Sequence, residues 1–451
     1  MRMNTRISSD QLAFLLDAQT RGSAAYIQGL NFDSRHVQSG DLFVAFKGDK
    51  ADGHDYVEAA RARGAVAALV ERWVPVEITQ IRVEDCLSAL AEWAKSVRQS
   101  SAATFVGITG SAGKTTVKST VAHILSAQGA TSATQGNYNN EIGVPLTLLE
   151  LGPEDQFAVV EMGARFKGDI AYLCALVEPN VRILTAVLPA HMETFGSIDV
   201  IAQTKGEIFD GMKPTDVAVM PGDSPYLSAW QTRAAGKIVT FGYSEANDIQ
   251  ILDVSDRGFS GLALRLRTPA GECEVVSGLV GAHNASNIAA SVGACLACGM
   301  SLDTIVAQVA SVQAVQGRLA RIILSDKTTL VDDSYNASPE AMRQALAALE
   351  RSPGARLAIL GPMAELGVNS DEYHRQVIEQ ALAGSVNEIW LSGASWPDLT
   401  DSRLRYFADT QAIIDELRSV PVFDWILVKA SRSARLDRVA SHLQMLGGAA
   451  C

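Results

Sequence analysis

The segment Gly107–Thr116, GITGSAGKTT, combines glycines, a lysine and two threonines at a spacing that suits binding of a phosphate group. Backbone N–H groups at Gly110–Gly113 can face phosphate oxygens where a helix begins. Lys114 supplies a compact positive charge, and a threonine hydroxyl can reach a magnesium ion. A tight turn with a solvated lysine is the alternative interpretation. The predicted nucleotide-binding loop comprises Gly110, Ser111, Ala112, Gly113, Lys114, Thr115 and Thr116.

The loop departs from the usual phosphate-binding pattern at one position, and a later strand ends in glutamate where aspartate is usual. Ile108 stands where the usual spacing has a glycine, so the loop is shorter than most. Kinases and plain NTPases usually end a later strand in an aspartate that holds magnesium. Here AVVEMGAR places Glu161 at a predicted strand end, the edge at which parallel sheets bind ligands. A solvated strand end is the alternative for Glu161, and a plain NTPase or kinase is the alternative for the chain.

Predicted strands and helices alternate on both sides of the loop, which indicates an α/β fold with mainly parallel sheets. Short strands and turns over residues 1–90 predict a small N-terminal α/β domain. Residues 91–315 open with the predicted strand Thr104–Thr109 and form a central P-loop-type ATPase domain. The alternation restarts afterwards, so residues 316–451 are predicted to form a C-terminal Rossmann-like domain.

The composition excludes several classes of protein. The chain has 451 residues, 47% of them hydrophobic and 20% charged, which is typical of a folded protein. A net charge of −12 leaves no broad basic surface for nucleic acid. We find neither the layout of a signal peptide nor a stretch suited to span a membrane, so we expect a cytoplasmic protein. Cys295 and Cys298 fit a core helix better than a zinc site, because no second pair accompanies them.

Further stretches, taken in their order along the chain, resemble the Mur ligases of peptidoglycan synthesis. The N-terminal pieces are DSR (33–35), GDLFVAFKG (40–48) and DGHDY (52–56). The central pieces are GNYNNEIGVPLTLLE (136–150), EMGARFKGDI (161–170), AHMETFGS (190–197), TKGEIF (204–209) and GAHNASNIAA (281–290). The later pieces are GRL (317–319), DDSYNASPEAM (332–342), LGPMAELG (360–367) and VKASRSARLDRV (428–439). Each piece is weak alone, but the ordered set is specific and spans nearly the whole chain.

The resemblance implies a ligase that couples ATP hydrolysis to amide formation through an acyl phosphate, with magnesium as the second cofactor. DSYNASP favours the type that adds D-alanyl-D-alanine to UDP-N-acetylmuramoyl-tripeptide. The implied partners are these two small molecules, with no nucleic acid and no membrane span, and we expect a monomer. A ligase that adds the third amino acid, or a folylpolyglutamate synthase, is the alternative enzyme. A nucleotide-regulated binding protein without catalysis is the alternative class.

The resemblance also implies a metal site. Glu161 and His191 match magnesium ligands, and Lys205 matches a lysine that the family carries as a carbamate. Thr115 of the phosphate loop is the further candidate ligand. A carbamate turns a cation into an anion that can bind a hard metal as a carboxylate does. Lys114, Lys205 and His191 are therefore the predicted catalytic residues. An ordinary core histidine and a surface lysine beside Glu207 are the alternatives.

Three further residues match the family's nucleotide contacts. Asn287 matches an asparagine that binds adenine, and an amide suits the adenine edge because it can donate and accept. Arg318 matches an arginine that reaches the nucleotide phosphates, and Asp333 an aspartate that holds the ribose or the domain closure. An interdomain salt bridge is the alternative for the last two.

The family match also assigns substrate contacts. Asn137, Asn139, Asn140 and Arg165 would face the muramoyl-peptide, although asparagine-rich loops are often only turns. Ser34 and Arg35 would contact the uridine diphosphate; Asp52 and His54 are weaker candidates, with a structural turn as an even alternative. Tyr335 and Asn336 would contact D-alanyl-D-alanine. Positions at which the chain departs from the family pattern are Ala186, Leu188, Pro362 and Ala430.

Overall fold

A computed structural model describes residues 2–48, 51–189, 192–312, 317–364 and 366–448. It confirms the α/β fold class, with separate sheets in the N-terminal, central and C-terminal parts of the chain. The chain divides into two compact units, the first over Met1–Gln250 and Ala289–Ile305 and the second over Ile251–Ile288 and Val306–Cys451. None of the helices in the described ranges is both long enough and apolar enough to cross a membrane.

The N-terminal sheet holds six strands in the order β1-β3-β4-β5-β6-β2, and its inner strands β3 to β6 are parallel. The first helix begins where the Ser8 hydroxyl accepts from Gln11 N–H and the Gln11 side chain accepts from Ser8 N–H, a capping box. The strands are β1 (Arg2–Ser8), β2 (Gln19–Arg21), β3 (Tyr26–Asn31), β4 (Asp41–Val44), β5 (Ala67–Val70) and β6 (Thr79–Arg82). The helices are α1 (Ser9–Leu15), α2 (Val57–Ala62) and α3 (Cys86–Ser100).

The central sheet of the first unit is parallel, with neighbouring strands in the order β8-β9-β7-β10-β11-β12. Its strands are nearly all buried, as expected when helices cover both faces. The strands are β7 (Thr104–Thr109), β8 (Thr131–Ala133), β9 (Phe157–Glu161), β10 (Val181–Leu184), β11 (Val217–Pro221) and β12 (Lys237–Gly242). The helices are α4 (Lys114–Ser126), α5 (Gly143–Leu149), α6 (Asp169–Val177), α7 (Met192–Phe195), α8 (Ile198–Gly206) and α9 (Leu227–Gln231).

The strand pattern changes after β12. Strand β13 (Ile249–Asp256) begins beside β12, and β14 (Leu262–Thr268) and β15 (Gly271–Ser277) form an antiparallel hairpin. Helices α10 (Asn284–Ala297) and α11 (Leu302–Ser311) follow. Cys295 and Cys298 lie in this part with free thiols, which fits the interpretation as a core helix.

The C-terminal sheet has the order β16-β17-β21-β18-β19-β20, with β16 antiparallel to β17 and the other pairs parallel. Its strands are β16 (Ala320–Ile323), β17 (Thr329–Asp333), β18 (Arg356–Leu360), β19 (Glu388–Ser392), β20 (Leu404–Phe407) and β21 (Trp425–Lys429). The helices are α12 (Pro339–Arg351), α13 (Ser370–Ala383), α14 (Thr410–Glu416) and α15 (Asp437–Gly448). Short 3₁₀ helices lie at Gly53–Tyr56, Glu207–Phe209, Gly258–Ser260, Gly367–Asn369 and Arg432–Ala434.

The two faces of the C-terminal sheet are covered by different helices. Met342 of α12 and Val377 of α13 share one apolar cluster. Ile413 of α14 and Val439 of α15 share the other. The chain therefore leaves β17 towards one face and leaves β21, its neighbour, towards the opposite face. Such a change of direction opens a crevice at the carboxyl ends of the two strands.

Strands β16 and β20 were not predicted from the sequence. Both are edge strands of four residues, and several of their side chains face solvent, so their alternation is weak. The sequence Ser338–Pro339–Glu340 is typical of a helix start, and α12 begins there: Ala341 N–H donates to the Ser338 hydroxyl at 3.3 Å.

Candidate active site

A cavity of about 720 Å³ lies in the first unit, between the N-terminal and central sheets' loops. Phe32 of the N-terminal part and Phe195 of the central part both line it. The cavity brings together predicted phosphate-loop residues and predicted substrate residues. Those on its wall are Gly110, Ser111, Lys114, Asn137, Asn139, Asn140, Arg165 and Lys205.

The phosphate loop connects β7 to α4, as predicted. Gly110 and Gly113 have φ values of +151° and +81°, which favour glycine. Helix α4 begins after Gly113, which has no side chain, so no N-cap side chain accepts a hydrogen bond from the first N–H groups of the helix. Lys114 Nζ donates to the Gly110 carbonyl at 2.7 Å, and the Ser111 hydroxyl is buried without a hydrogen bond. This arrangement is typical of an anion-binding helix start.

The end of β10 holds the loop in place. Ser111 N–H donates to the Ala186 carbonyl at 2.8 Å, and the Thr185 hydroxyl donates to the Ala112 carbonyl. A Cβ atom at Gly110 would overlap the Thr185 hydroxyl. Ala186, one of the departures from the family pattern, uses only its backbone carbonyl here, so its side chain does not affect this contact.

Glu161 ends β9, and its residue is only 2% exposed. The structure therefore excludes the interpretation as a solvated strand end. Asn139 Nδ2 donates to Oε1 at 2.7 Å, and the backbone N–H of Glu161 donates to Thr134 Oγ1 at 3.0 Å. Oε2 is buried and accepts no hydrogen bond, although Lys118 Nζ lies 3.6 Å away. One carboxylate oxygen is thus fixed by hydrogen bonding and the other remains able to bind a cation.

Lys118 is a residue of this site that the sequence reasoning missed. Its side chain is 6% exposed, and Nζ donates to the Gly136 carbonyl at 3.0 Å. It joins α4 to the loop that holds Asn137–Asn140, and it forms an ion pair with Glu161. A signal was present, because Lys118 stands four residues after Lys114 and so projects from the same side of α4.

Lys205 is buried in α8, at 4% exposure, which rules out the alternative of a surface lysine. Burial lowers the pKa of Lys205 to about 7, and the positive charge of Lys114 acts in the same direction. Asp169 and Glu207 oppose this change in pKa. Near neutral pH much of this amine is uncharged, and an uncharged amine is a nucleophile.

Glu207 has a structural role beside Lys205. Its carboxylate accepts from Gly168 N–H at 2.9 Å and from Ala171 N–H at 3.1 Å. These are N–H groups at the start of α6, which no residue within that helix can satisfy. The carboxylate also stabilises the positive end of the α6 dipole.

The predicted magnesium ligands are described in part. His191 lies outside the described residues. In the ranges that the structure describes, no group of three or more histidine, cysteine, aspartate or glutamate side chains could hold a metal. Thr115, Glu161 and Lys205 remain as candidates. The buried Glu161 Oε2, which accepts no hydrogen bond, fits a hard cation such as magnesium, because such cations prefer carboxylate oxygens.

The asparagine loop mixes positioning contacts with exposed side chains. Asn140 Oδ1 accepts from Gly143 N–H at 2.9 Å, at the start of α5. Asn139 is held by Glu161, as described above. Asn137, Asn140 and Arg165 are exposed on the cavity wall, and Asn139 is half-buried.

The N-terminal candidates lie beside Phe32, near the cavity. The Asp33 carboxylate accepts from Arg35 Nε at 2.9 Å and from Arg35 Nη2 at 2.7 Å, which lowers the pKa of Asp33. The Arg35 side chain remains 79% exposed, and Ser34 is half-buried.

Asp52 and His54 form a structural turn. The His54 Nδ1 to Asp52 Oδ1 distance is 2.6 Å, and Glu71 N–H donates to His54 Nε2 at 2.8 Å. The histidine residue is 5% exposed, and both of its ring nitrogens are bonded. Of the two interpretations left open by the sequence, the structural turn fits His54.

Asn287 lies half-buried in the first turn of α10. Its Nδ2 donates to Asn284 Oδ1 at 2.7 Å, and Asn284 Nδ2 donates to the Val280 carbonyl at 2.8 Å. This chain of bonds fixes the side-chain orientation of Asn287. Asn284 therefore has the turn-shaping role that its position suggests.

Asp333 ends β17 and forms a buried ion pair with Lys429 at the end of β21. Lys429 Nζ lies 2.6 Å from Asp333 Oδ2 and also donates to the Asn336 carbonyl at 3.0 Å. Leu319 N–H donates to Asp333 Oδ1 at 3.2 Å. Burial raises the pKa of Asp333, and the charge of Lys429 opposes this change. Asp333 thus holds the segment that contains Arg318.

Tyr335 and Asn336 lie at the carboxyl end of β17, in the crevice of the C-terminal sheet. The Arg318 guanidinium is 4.7 Å from the centre of the Tyr335 ring, and that of Arg432 is 5.8 Å from it. Tyr335 N–H donates to the Gly317 carbonyl at 3.0 Å. The structure therefore brings Arg318 beside Tyr335 and adds an arginine that the sequence did not single out.

Pro362 and Ala430, two departures from the family pattern, flank Ser431. Ser431 N–H donates to the Pro362 carbonyl at 3.0 Å, a bond that uses only the backbone of position 362. Ala430 is fully buried, and a Cβ atom at Gly361 would lie 2.7 Å from the Cβ atom of Ala430. The extra methyl group of Ala430 therefore requires glycine at position 361.

Three parts of the chain match models of Mur ligase domains. Residues 26–98 match the Mur ligase family catalytic domain, residues 108–295 the Mur ligase middle domain, and residues 317–432 the Mur ligase glutamate ligase domain. The chain is 38% identical to the UDP-N-acetylmuramoyl-tripeptide–D-alanyl-D-alanine ligase of Escherichia coli strain K12, over 98% of this chain and 99% of that one.

Two solved structures are also similar. A crystal structure of MurF from Acinetobacter baumannii superposes with a TM-score of 0.92 at 30% identity, covering 99% of this chain and 100% of that chain. The MurF ligase from Thermotoga maritima, solved in complex with ADP, gives a TM-score of 0.78 at 32% identity and covers 94% of this chain and 98% of that chain.

Proposed function

The chain belongs to the Mur ligase family, and from this premise we propose that it joins D-alanyl-D-alanine to UDP-N-acetylmuramoyl-tripeptide at the expense of ATP. The product is UDP-N-acetylmuramoyl-pentapeptide, a precursor of peptidoglycan. The observation that carries this proposal is the cavity that unites the phosphate loop, the asparagine loop and a buried lysine. The near full-length similarity to a ligase of this specificity supports the same conclusion.

The reaction needs activation because a carboxylate is a poor electrophile. A carboxylate oxygen of the tripeptide attacks the γ-phosphorus of ATP, the bond to ADP breaks, and an acyl phosphate forms. The neutral amine of D-alanyl-D-alanine then attacks the acyl carbon and forms a tetrahedral intermediate. Its collapse releases phosphate and leaves the new amide bond, and the amine loses one proton.

The phosphate loop supplies positive potential for the first step. Both reactants are anions, so their approach requires compensating charge. The N–H groups in the first turn of α4, which have no acceptor within the helix, and the Lys114 ammonium meet this need. Lys114 donates to the Gly110 carbonyl at 2.7 Å and would exchange this carbonyl for a phosphate oxygen. The nucleotide contacts proposed here are Gly110, Ser111, Ala112, Gly113, Lys114, Thr115, Thr116, Asn287, Arg318 and Asp333.

Magnesium is part of the proposal, with Thr115, Glu161, His191 and a carbamate of Lys205 as its ligands. A bound magnesium ion would offset phosphate charge. Carbamate formation joins the neutral Lys205 nitrogen to carbon dioxide and releases one proton. The lowered pKa of Lys205, about 7, supports this step because it provides the neutral amine.

The substrate contacts remain proposals by family match. Ser34 and Arg35 would contact the uridine diphosphate, and Asn137, Asn139, Asn140 and Arg165 the muramoyl-peptide. The exposure of Arg35, Asn137 and Arg165 supports contact with a ligand. Tyr335 and Asn336 would contact D-alanyl-D-alanine. We also propose the domain limits 1–90, 91–315 and 316–451, a monomeric state and a cytoplasmic location.

Phosphate release from ATP tests the function. We expect release only when UDP-N-acetylmuramoyl-tripeptide and D-alanyl-D-alanine are both present, with each substrate omitted in turn as a control. Release that ignores both substrates would favour a plain NTPase. Full activity with a single amino acid in place of the dipeptide would favour a sister ligase.

A further inference from the structure

We infer that Arg432 binds the C-terminal carboxylate of the incoming dipeptide and so determines that the acceptor is a free acid. This inference rests on the proposed function and names a residue that recognises its second substrate. Arg432 opens the 3₁₀ helix that follows β21.

Arg432 lies at the point of the C-terminal sheet where a ligand site is expected. Strands β17 and β21 are parallel neighbours, and the chain leaves them towards opposite faces of the sheet. Ligands of open α/β sheets bind in the crevice between the carboxyl ends of two such strands. Tyr335 follows β17 and Arg432 follows β21, and the Arg432 guanidinium is 5.8 Å from the Tyr335 ring centre.

The charges around Tyr335 favour an anion at this place. The guanidinium groups of Arg318 and Arg432 both lie within 6 Å of the ring centre. Among the described residues, no carboxylate lies within ion-pair distance of Arg318. Arg432 is paired only loosely, at 3.8 Å to Asp437, and Arg435 approaches the same carboxylate at 3.3 Å. Two cations near one ring repel each other, and a bound anion would remove this repulsion.

The backbone that presents Arg432 is fixed by its neighbour Ser431. The Ser431 hydroxyl accepts from Ala364 N–H at 2.8 Å and donates to the Ala337 carbonyl at 3.3 Å. These bonds join the loops that follow β17, β18 and β21. The side chain of Arg432 is 64% exposed, so it combines a fixed origin with an accessible charge. A fixed origin reduces the entropy lost when a ligand binds.

The chemistry of the dipeptide selects a carboxylate as this anion. The amine of D-alanyl-D-alanine must stay uncharged and unobstructed, because it is the nucleophile. Binding energy must therefore come mainly from the other end of the molecule, a planar carboxylate that matches the fork of a guanidinium group. In the proposed function the nucleotide phosphates already have the loop at Gly110–Lys114 and Arg318 as contacts, so they do not require Arg432.

The test compares the free-acid dipeptide with D-alanyl-D-alaninamide, which lacks the negative charge. For the unchanged chain we expect kcat/KM to fall on the order of 10- to 100-fold with the amide, since a charged hydrogen bond is lost. In Arg432→Gln, KM for the free acid should rise by a similar factor, and the preference for the acid should disappear. KM for ATP and for the UDP-linked substrate should change less than about threefold. Arg432→Lys, which keeps the charge, should retain part of the preference.

Arg435→Gln is the matched control, because Arg435 contacts the same Asp437 and is similarly exposed. It should keep the preference for the free acid. The inference is overturned if the unchanged chain accepts acid and amide equally, if Arg432→Gln still prefers the acid, or if its KM rises for ATP instead. Failure of the proposed function has a different signature, since the unchanged chain would then release no phosphate in response to either dipeptide.

Discussion

Replacing Lys429 with methionine would remove the only cation that contacts Asp333 among the described residues. The Lys429 side chain is 2% exposed, and its Nζ lies 2.6 Å from Asp333 Oδ2. Methionine has a similar length and fills the apolar part of the space, so packing changes little. The buried carboxylate keeps the Leu319 N–H as a donor and loses its counter-charge. We expect Lys429→Met to destabilise the fold through this unpaired charge.

The size of this effect is limited by the cost of protonating the Asp333 carboxylate. Breaking a buried ion pair by removing one partner costs about 3–5 kcal/mol. The carboxyl group can limit this cost by taking up a proton. At pH 7, protonating a group whose usual pKa is 3.8 costs about 4 kcal/mol, at about 1.4 kcal/mol for each pH unit. We therefore expect a loss of about 4 kcal/mol in the free energy of unfolding at pH 7.

The loss should also depend on pH in a defined direction. Burial raises the pKa of Asp333 in the folded chain, and loss of Lys429 raises it further. A group whose folded pKa exceeds its unfolded pKa contributes stability at low pH and loses that contribution as the pH rises. Lys429→Met should therefore be closest to the unchanged chain in acid, and the gap should widen by about 2.7 kcal/mol over two pH units.

Denaturant unfolding of the full chain at pH 5.5 and 7.5 measures this gap. The double variant Lys429→Met with Asp333→Leu removes both charges, and we expect it to recover much of the stability and lose the pH dependence. An equal loss at both pH values would refute the reasoning. So would a double variant that remains as pH-dependent as the single one.

Three further predictions concern the cavity of the first unit. Gly110→Ala should weaken ADP binding in calorimetry by at least about 10-fold, because the added Cβ overlaps the Thr185 hydroxyl. Ala112→Gly is the control and should bind ADP normally. Equal affinities of the two variants for ADP would contradict this prediction. Lys118→Met should raise KM for the UDP-linked substrate by about 10-fold, because the loop loses the hydrogen bond at the Gly136 carbonyl. KM for the dipeptide should stay unchanged. A parallel rise in both KM values would argue against a local role of Lys118. With ¹³C-bicarbonate at pH 8, above the Lys205 pKa of about 7, the unchanged chain should show a carbamate NMR signal that Lys205→Ala lacks; the same signal in both would reject the assignment.

The parts of the site that the sequence predicted well are local in the chain. The phosphate loop needs only a strand, two glycines and a helix start, all within Thr104–Ser126. Glu161 was placed correctly because a strand's last residue can be read from its own hydrophobic run. The start of helix α12 at Ser338 and Pro339 can likewise be predicted from adjacent residues.

The parts that were missed depend on distant contacts. Lys429 and Asp333 are 96 residues apart, and nothing near either residue signals their ion pair. In the sequence Lys118 resembles an ordinary helix lysine, and only the folded chain brings it into contact with Glu161 and Gly136. The burial of Lys205 is also a tertiary effect, since the local sequence fits a surface helix equally well.

Lys114 and Lys205 line the same cavity, and this affects the order in which the enzyme takes up its ligands. The positive charge of Lys114 helps to keep Lys205 neutral. A bound triphosphate would neutralise Lys114 and favour the protonated form of Lys205, which cannot capture carbon dioxide. Under the proposed chemistry, carbon dioxide would therefore react with Lys205 more readily before the nucleotide binds. Enzyme mixed with ATP in degassed buffer should show a long lag, whereas enzyme first incubated with bicarbonate should start at full rate. The measured initial rate would then depend on the order of mixing as well as on the final composition of the mixture.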